Sequence, residues 1–154
     1  MNYDNGSRLV AQPGLRTRMG QESRRISSQH RQLDTLYGLI VISLRSGERD
    51  RAQQALQRFE DAFDAHTSLE DGFYFPALRG MKDGVAGELD ELSREHERFR
   101  RDLAALNAEF HGKSLEAAES SLDEFITRVA AHEGREEALI ASLTQRASAW
   151  VGQT

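Results

Sequence analysis

Four stretches of this chain place apolar residues at alternating steps of three and four, and each puts a histidine into one of the apolar slots. The first runs Ile26, His30, Leu33, Tyr37, Ile40, Leu44, and the second Leu56, Phe59, Phe63, His66, Glu70, Phe73, Ala77. The third reads Val85, Leu89, Leu92, His96, Phe99, Leu103, Leu106, Phe110. The fourth reads Leu115, Ala118, Leu122, Phe125, Val129, His132, Glu136, Leu139, Leu143, with room to extend toward Trp150. Such spacing is the buried stripe of a helix packed in a bundle. Ser46-Gly47, Gly80 to Gly84 and Gly112-Lys113 separate the four stretches. The expectation is an all-α fold, an up-down-up-down antiparallel four-helix bundle with short connections.

A chain of 154 residues is one domain by size. Residues 22–150 are assigned to the bundle, with Ser23 expected to cap a first helix starting near Arg24. Residues 1–21 contain Gly6, Pro13, Gly14 and Gly20 without periodic apolar positions and are expected to form an irregular, basic N-terminal arm. Pro76 is expected to bend or close the last turn of the second helix. The net charge of −5 is uneven: Arg8, Arg16, Arg18, Arg24 and Arg25 face only Asp4 and Glu22 in the first 25 residues, so the remainder is strongly acidic. An acidic body repels a nucleic-acid backbone, so no nucleic-acid partner is expected, and the arm reads as solvated. No run of about 18 apolar residues and no continuous apolar N-terminal core occur, so neither a membrane span nor a secretory signal is expected and a cytoplasmic setting is. The absence of cysteine removes disulfides, thiolate ligands and iron–sulfur clusters together. Metal chemistry would then rest on histidine and carboxylate.

That is where the polar seam residues matter. His30, His66, Glu70, His96, His132 and Glu136 occupy slots otherwise apolar, and no lysine or arginine shares those seams. His66 with Glu70, and His132 with Glu136, are four apart and therefore lie on one helical face. Buried carboxylates without a cation cost several kcal/mol or take up a proton, so a bound cation is the natural compensation. The midpoints of His30/His66, His66/His96 and His96/His132 are Glu48, Met81 and Ser114, each at or beside a separating turn. Antiparallel helices turning there bring the four histidines to one level. A single buried histidine is most often a hydrogen-bonded core residue; six such groups at one level point to a metal site. His111, fifteen residues beyond His96 and so about 22 Å along the axis, is expected to face solvent. Asp34 falls beside its seam, at the surface or behind a ligand, Tyr37 reads as core with a hydroxyl available to a ligand pocket, and Glu95 and Glu133 either accept from a ring nitrogen that does not bind metal or are solvated. Four nitrogens and two carboxylates exceed the four ligands of one zinc. They suit two metals, each with two histidines, joined by both glutamates. Glu-x-x-His, the pattern of ferritin-like di-iron bundles, precedes none of these histidines.

His30 with Leu33, His66-x-x-x-Glu70-Asp71 leading to Phe75-Pro76-Ala77-Leu78, Glu95-His96, and His132-Glu133-x-x-Glu136-Glu137 together resemble the hemerythrin-like (HHE cation-binding) family over roughly residues 26–145. The resemblance implies a four-helix bundle around a non-haem di-iron centre, oxo- or hydroxo-bridged, that meets dioxygen, nitric oxide or peroxide. By the same resemblance its ligands are the six seam residues. The chain departs from the oxygen-carrying members, which have a His-x-x-x-His pair on the third helix and an aspartate on the fourth. Here Leu92 and Arg100 stand four residues either side of His96, and the fourth helix supplies Glu136. One iron then has fewer nitrogens, which moves the expectation from reversible oxygen carriage toward redox turnover, nitric oxide binding or iron sensing; the leading expectation is a protein that binds or senses a small diatomic ligand at an open iron position. A redox enzyme of the same fold that consumes peroxide or oxidises ferrous iron, or a protein for iron storage or sensing, is the alternative. Members that repair iron centres carry a cysteine-bearing module that is not present in this sequence. The third possibility, a metal-free interaction bundle, leaves six buried ionisable groups without purpose.

Overall fold

In the computed structural model, which describes residues 13–81, 83–112 and 114–149, the chain forms helices and, among those residues, no strand. Helix α1 spans Pro13–Arg45, α2 Arg49–Leu69, α3 Phe75–Met81, α4 Ala86–Gly112 and α5 Leu115–Ala149, and a π-helical turn, Glu70–Tyr74, joins α2 to α3. The predicted extension to Trp150 and the first twelve residues of the predicted arm lie outside the described residues.

Helix α1 begins about ten residues earlier than the sequence suggested. Residues 13–21, read as irregular, are its first turns, and Ser23 lies inside it instead of capping it. Proline suits the first helical position because its missing N–H has no partner there. Gly14 and Gly20 each cost the helix only about 1 kcal/mol. At the other end Gly47 has φ +72°, and Glu48 N–H bonds the Ser43 carbonyl while Gly47 N–H bonds that of Leu44. This pair of bonds satisfies the last carbonyls of α1 and turns the chain into α2. Ser114 caps α5, its Oγ accepting from Ala117 N–H at 3.2 Å.

α1 packs on α2 and α5, and α4 packs on α2 and α5. Two apolar clusters fill the space between them. The larger holds Leu33, Ile40, Leu56, Phe59, Phe63, Phe99, Leu103, Phe110, Leu122, Phe125 and neighbours. The smaller holds Ile26, Tyr74, Phe75, Leu78, Val85, Leu89, Leu92 and Leu139. His30, His66, Glu70, His96, His132 and Glu136 are all buried, and by position along every helix they fall between the two clusters. Each large apolar side chain so buried contributes about 1.5–3 kcal/mol, which is the reserve against which a polar layer can be kept inside.

The π turn is the main departure from the sequence pattern. Pro76 has no N–H, and in a regular α-helix its ring would strike the carbonyl of Gly72. The wide turn immediately before it relieves this: Phe75 N–H reaches back five residues to the Glu70 carbonyl. One extra residue per turn shifts the face that follows. Tyr74, Phe75 and Leu78 are buried, while Phe73 and Ala77, expected on the seam, are only half-buried at its edge. Pro76 therefore does not end the rod; α3 continues it.

Candidate metal centre

Each of the four seams delivers its polar residues to one place. The pairs His66/Glu70 and His132/Glu136 are one helical turn apart on α2 and its π turn and on α5, and His30 and His96 come from α1 and α4. Two groups form, each with ligand atoms lying within 4.8 Å of one another: His30, His66, Glu70, Glu136, and Glu70, His96, His132, Glu136. Both glutamates belong to both groups. All six side chains expected from the sequence are thus brought together.

The inner atoms are the Nε2 nitrogens. His30 Nε2 is 3.0 Å from His66 Nε2, and His96 Nε2 is 2.9 Å from His132 Nε2. Glu70 spans the halves, with Oε1 3.2 Å from His66 Nε2 and Oε2 3.2 Å from His96 Nε2. Glu136 does the same: Oε1 is 2.5 Å from His132 Nε2 and 3.3 Å from His96 Nε2, and Oε2 is 3.8 Å from His30 Nε2.

The outer nitrogens explain how the rings are aimed. His66 Nδ1 donates to Gln29 Oε1 at 2.9 Å, His96 Nδ1 to Asp71 Oδ1 at 3.0 Å and His132 Nδ1 to Glu95 Oε2 at 2.5 Å. Glu137 Oε1 stands 3.5 Å from His30 Nδ1. An imidazole that keeps its proton on Nδ1 presents a lone pair on Nε2, the form a cation needs. Asp71 also accepts from Ser93 Oγ at 2.7 Å and lies 3.7 Å from an Arg100 nitrogen, while Glu95 is paired with Arg135. Phe75 stacks on His96 with ring centroids 5.6 Å apart, and Phe99 meets His132 edge-on at 5.3 Å. These rings close the centre to water on two sides.

Of the two positions expected for Glu95, the structure has the one that accepts from an imidazole, that of His132. Glu133 takes a different position, 3.9 Å from the inner Nε2 of His30. Gln29, Asp71 and Glu137 were not assigned this part. Their shared signal is adjacency: each neighbours a seam residue on its own helix but serves a histidine of another helix. Asp34 and His111 are exposed, as their positions suggested, and Tyr37 spends its hydroxyl on Asp123 at 2.6 Å instead of lining the centre.

Electrostatically the centre is under load without a cation. Burial pushes Glu70 well above the usual carboxylate range, with the Glu136 charge adding to it against the His96 hydrogen bond. Burial acts likewise on Glu136, but hydrogen bonds from His132 and His96 overcome it and hold that carboxylate low. His66 is pushed down to about 3 by burial and by the neighbouring His30. His96 goes the other way, to about 11, because its hydrogen bonds to Asp71, Glu136 and Glu70 outweigh burial. Glu133 is pushed up to about 8 by burial and by the charges of Asp34, Glu136 and Glu137. The Oε2 atoms of both shared glutamates are buried and accept no well-formed hydrogen bond. Four imidazole nitrogens and two such carboxylates form a donor set that fits two divalent or trivalent cations of the iron, manganese or zinc type.

The sequence model of the hemerythrin HHE cation binding domain matches residues 22–143 of the chain. Comparison with curated proteins finds no match, and comparison with solved structures finds none. No helix among the described residues is long and apolar enough to cross a membrane.

Proposed function

The chain belongs to the hemerythrin HHE cation-binding domain family, and from that membership and the paired clusters we propose that it holds two iron ions and binds or senses a small ligand, dioxygen or nitric oxide, beside them. The observation that carries this reading is the sharing of Glu70 and Glu136 by two groups, each of which has two imidazoles of its own. A single-ion site needs no such duplication. In this reading His30 and His66 would hold one ion and His96 and His132 the other, with both glutamates available to each. The bundle is taken to run up-down-up-down; the contacts Tyr37–Asp123 and Arg45–Glu119 support it, since one number rises as the other falls. When bound, the metals would supply redox-active, ligand-accepting centres. The chain contributes the rest: Gln29, Asp71 and Glu95 fix three of the rings by hydrogen bonds, Glu137 stands near the fourth, and Phe75 and Phe99 pack against His96 and His132.

A redox enzyme of the same fold, consuming peroxide or oxidising ferrous iron, is supported by one observation. The π turn brings Tyr74 into the smaller core, where burial pushes its hydroxyl up, a hydrogen bond with Ser23 opposes this, and the charges of Glu70 and Glu136 add to it. A buried phenol kept protonated within electrostatic reach of the shared carboxylates would be a proton donor that turnover could use and simple binding would not.

Purified protein is expected to carry two irons per chain and a charge-transfer band in the near ultraviolet or visible. The double variant Glu70→Ala, Glu136→Ala is expected to lose both. Full iron content and absorbance in that variant would remove the six residues as the site. Mixing the reduced protein with dioxygen, then with peroxide, separates the readings: catalytic loss of peroxide, diminished in Tyr74→Phe, selects the enzyme.

A further inference from the structure

Glu133 follows His132 on α5 but faces α1. Its Oε1 lies 3.9 Å from His30 Nε2, the nitrogen that points into the centre, whereas Glu137 approaches the outer Nδ1 of the same ring. Its side chain is 17% exposed, and the charges that weigh on it are the carboxylates of Asp34, Glu136 and Glu137. A sheltered carboxylate among three others is costly unless a cation joins it.

The distances around His30 Nε2 fit such a cation. His66 Nε2 stands at 3.0 Å, Glu136 Oε2 at 3.8 Å and Glu133 Oε1 at 3.9 Å. A six-coordinate ion with bonds of about 2.1 Å separates neighbouring donors by about 3.0 Å and opposite donors by about 4.2 Å. The His66 nitrogen stands at the neighbouring distance, and the two carboxylate oxygens lie between the neighbouring and opposite values, so that at least one of them closes toward the ion on binding. In the other half, among the described residues, no further carboxylate approaches an inner nitrogen from the positions four removed from His96. Of the two positions four removed from His96, Leu92 is packed in the smaller apolar cluster, and Arg100 donates to Thr67 Oγ1 at 2.9 Å and to Asp64 at 3.3 Å.

We infer that Glu133 is a further ligand, a terminal carboxylate on the cation held by His30 and His66, so that the cation held by His96 and His132 is the one left with more open coordination positions. This rests on the two-cation reading above and adds to it which half takes the small ligand.

Cobalt(II) tests this on the full chain, because its visible absorption reports both the number of ions bound and their coordination number. Anaerobic titration of metal-free wild-type protein is expected to show two ions in unequal steps. Glu133→Gln is expected to weaken one step at least about tenfold and to raise the molar absorption of that ion as it loses a ligand, leaving the other step in place. Asp34→Asn removes a neighbouring negative charge from an exposed position and is expected to leave both steps and the spectrum as in wild type. Helical content measured on each variant confirms that it is folded, and Glu133→Asp, which keeps the charge on a shorter arm, is expected to fall between wild type and Glu133→Gln. The inference is overturned if Glu133→Gln leaves both steps and the spectrum unchanged, or if Asp34→Asn weakens binding equally, since local charge then suffices. A wild-type protein that takes up fewer than two ions overturns the two-cation reading itself, which is seen before any variant is made.

Discussion

The two halves of the centre share their inner donors and differ in what stands behind them. Behind His96 and His132 are carboxylates, Asp71 and Glu95, each with an arginine near it, Arg100 and Arg135. Behind His66 is a neutral amide, Gln29, and behind His30 is Glu137, a mostly exposed carboxylate 3.5 Å from the ring. A carboxylate draws on the Nδ1 proton and makes Nε2 a stronger donor than an amide does. Leaving Glu133 aside, two halves that each have two imidazoles and share both glutamates are thus made unequal by the residues next to those ligands. These outer partners favour the cation of the His96/His132 half, and the Glu133 carboxylate favours that of the other.

The largest effects come from residues the halves share. Glu136 lies within reach of three of the four inner nitrogens, so Glu136→Ala is expected to abolish uptake of both cations. His66→Ala removes a donor from one half and is expected to leave one ion bound, at His96 and His132. Metal content after desalting reads both. If His66→Ala also empties the protein, the halves do not bind independently and the comparison between them fails.

Next are the outer partners. Glu95→Ala and Asp71→Ala are each expected to weaken one cation by about 10–100-fold, and Gln29→Ala to weaken the other by less. Competition with a chromophoric chelator measures all three. Equal losses would mean that the rings need only orientation, which an amide supplies as well as a carboxylate.

Protonation sharpens the contrast. In the metal-free protein His96, raised to about 11 by its hydrogen bonds against burial, holds a second proton at neutral pH, and Glu70, raised by burial, holds one as well. His66, lowered to about 3 by burial and by His30, is already neutral. Cations bind the deprotonated forms. The loaded protein therefore carries fewer protons than the free one, apparent affinity rises with pH through the neutral range, and loading acidifies a weakly buffered solution. An indicator dye followed during titration is expected to show the release, with the His96 proton leaving as the second half fills in His66→Ala. No release at neutral pH would mean that the halves start in the same protonation state.

Much of this was legible before the structure because the polar residues interrupt a strict apolar rhythm. His30, Glu70 and Glu136 stand out only because Leu33, Phe63 or Val129 define the seams around them. What the rhythm could not carry was a change of rhythm. Gly72 and Pro76 both lie near the π turn, yet neither specifies a five-residue hydrogen bond, so Tyr74, Phe75 and Leu78 were placed off the seam and Phe73 and Ala77 on it. Pro13, Gly14 and Gly20 give the start of α1 the composition of a loop, although proline is at home in a first turn. Gln29, Asp71 and Glu137 were missed for a third reason. Their partners lie on other helices, and sequence spacing reports only faces of the same helix.

The smallest expected effect tests how far outward the difference between the halves extends. Arg135 pairs with Glu95, and that pairing together with the His132 hydrogen bond holds the Glu95 carboxyl below its ordinary range against burial. The guanidinium side chain is 49% exposed, and exposed ion pairs are worth about 0–1 kcal/mol. Arg135→Ala is therefore expected to lower Tm by no more than about 2–4 °C for a chain of this size, and to leave metal uptake close to wild type, because Glu95 remains to receive the His132 proton. Thermal unfolding and chelator competition on the same sample read the two quantities together. A loss of metal affinity as large as that of Glu95→Ala would extend the working unit from imidazole and carboxylate to the arginine. The asymmetry of the centre would then be set at the protein surface, where a single charge change could retune one half without touching the other.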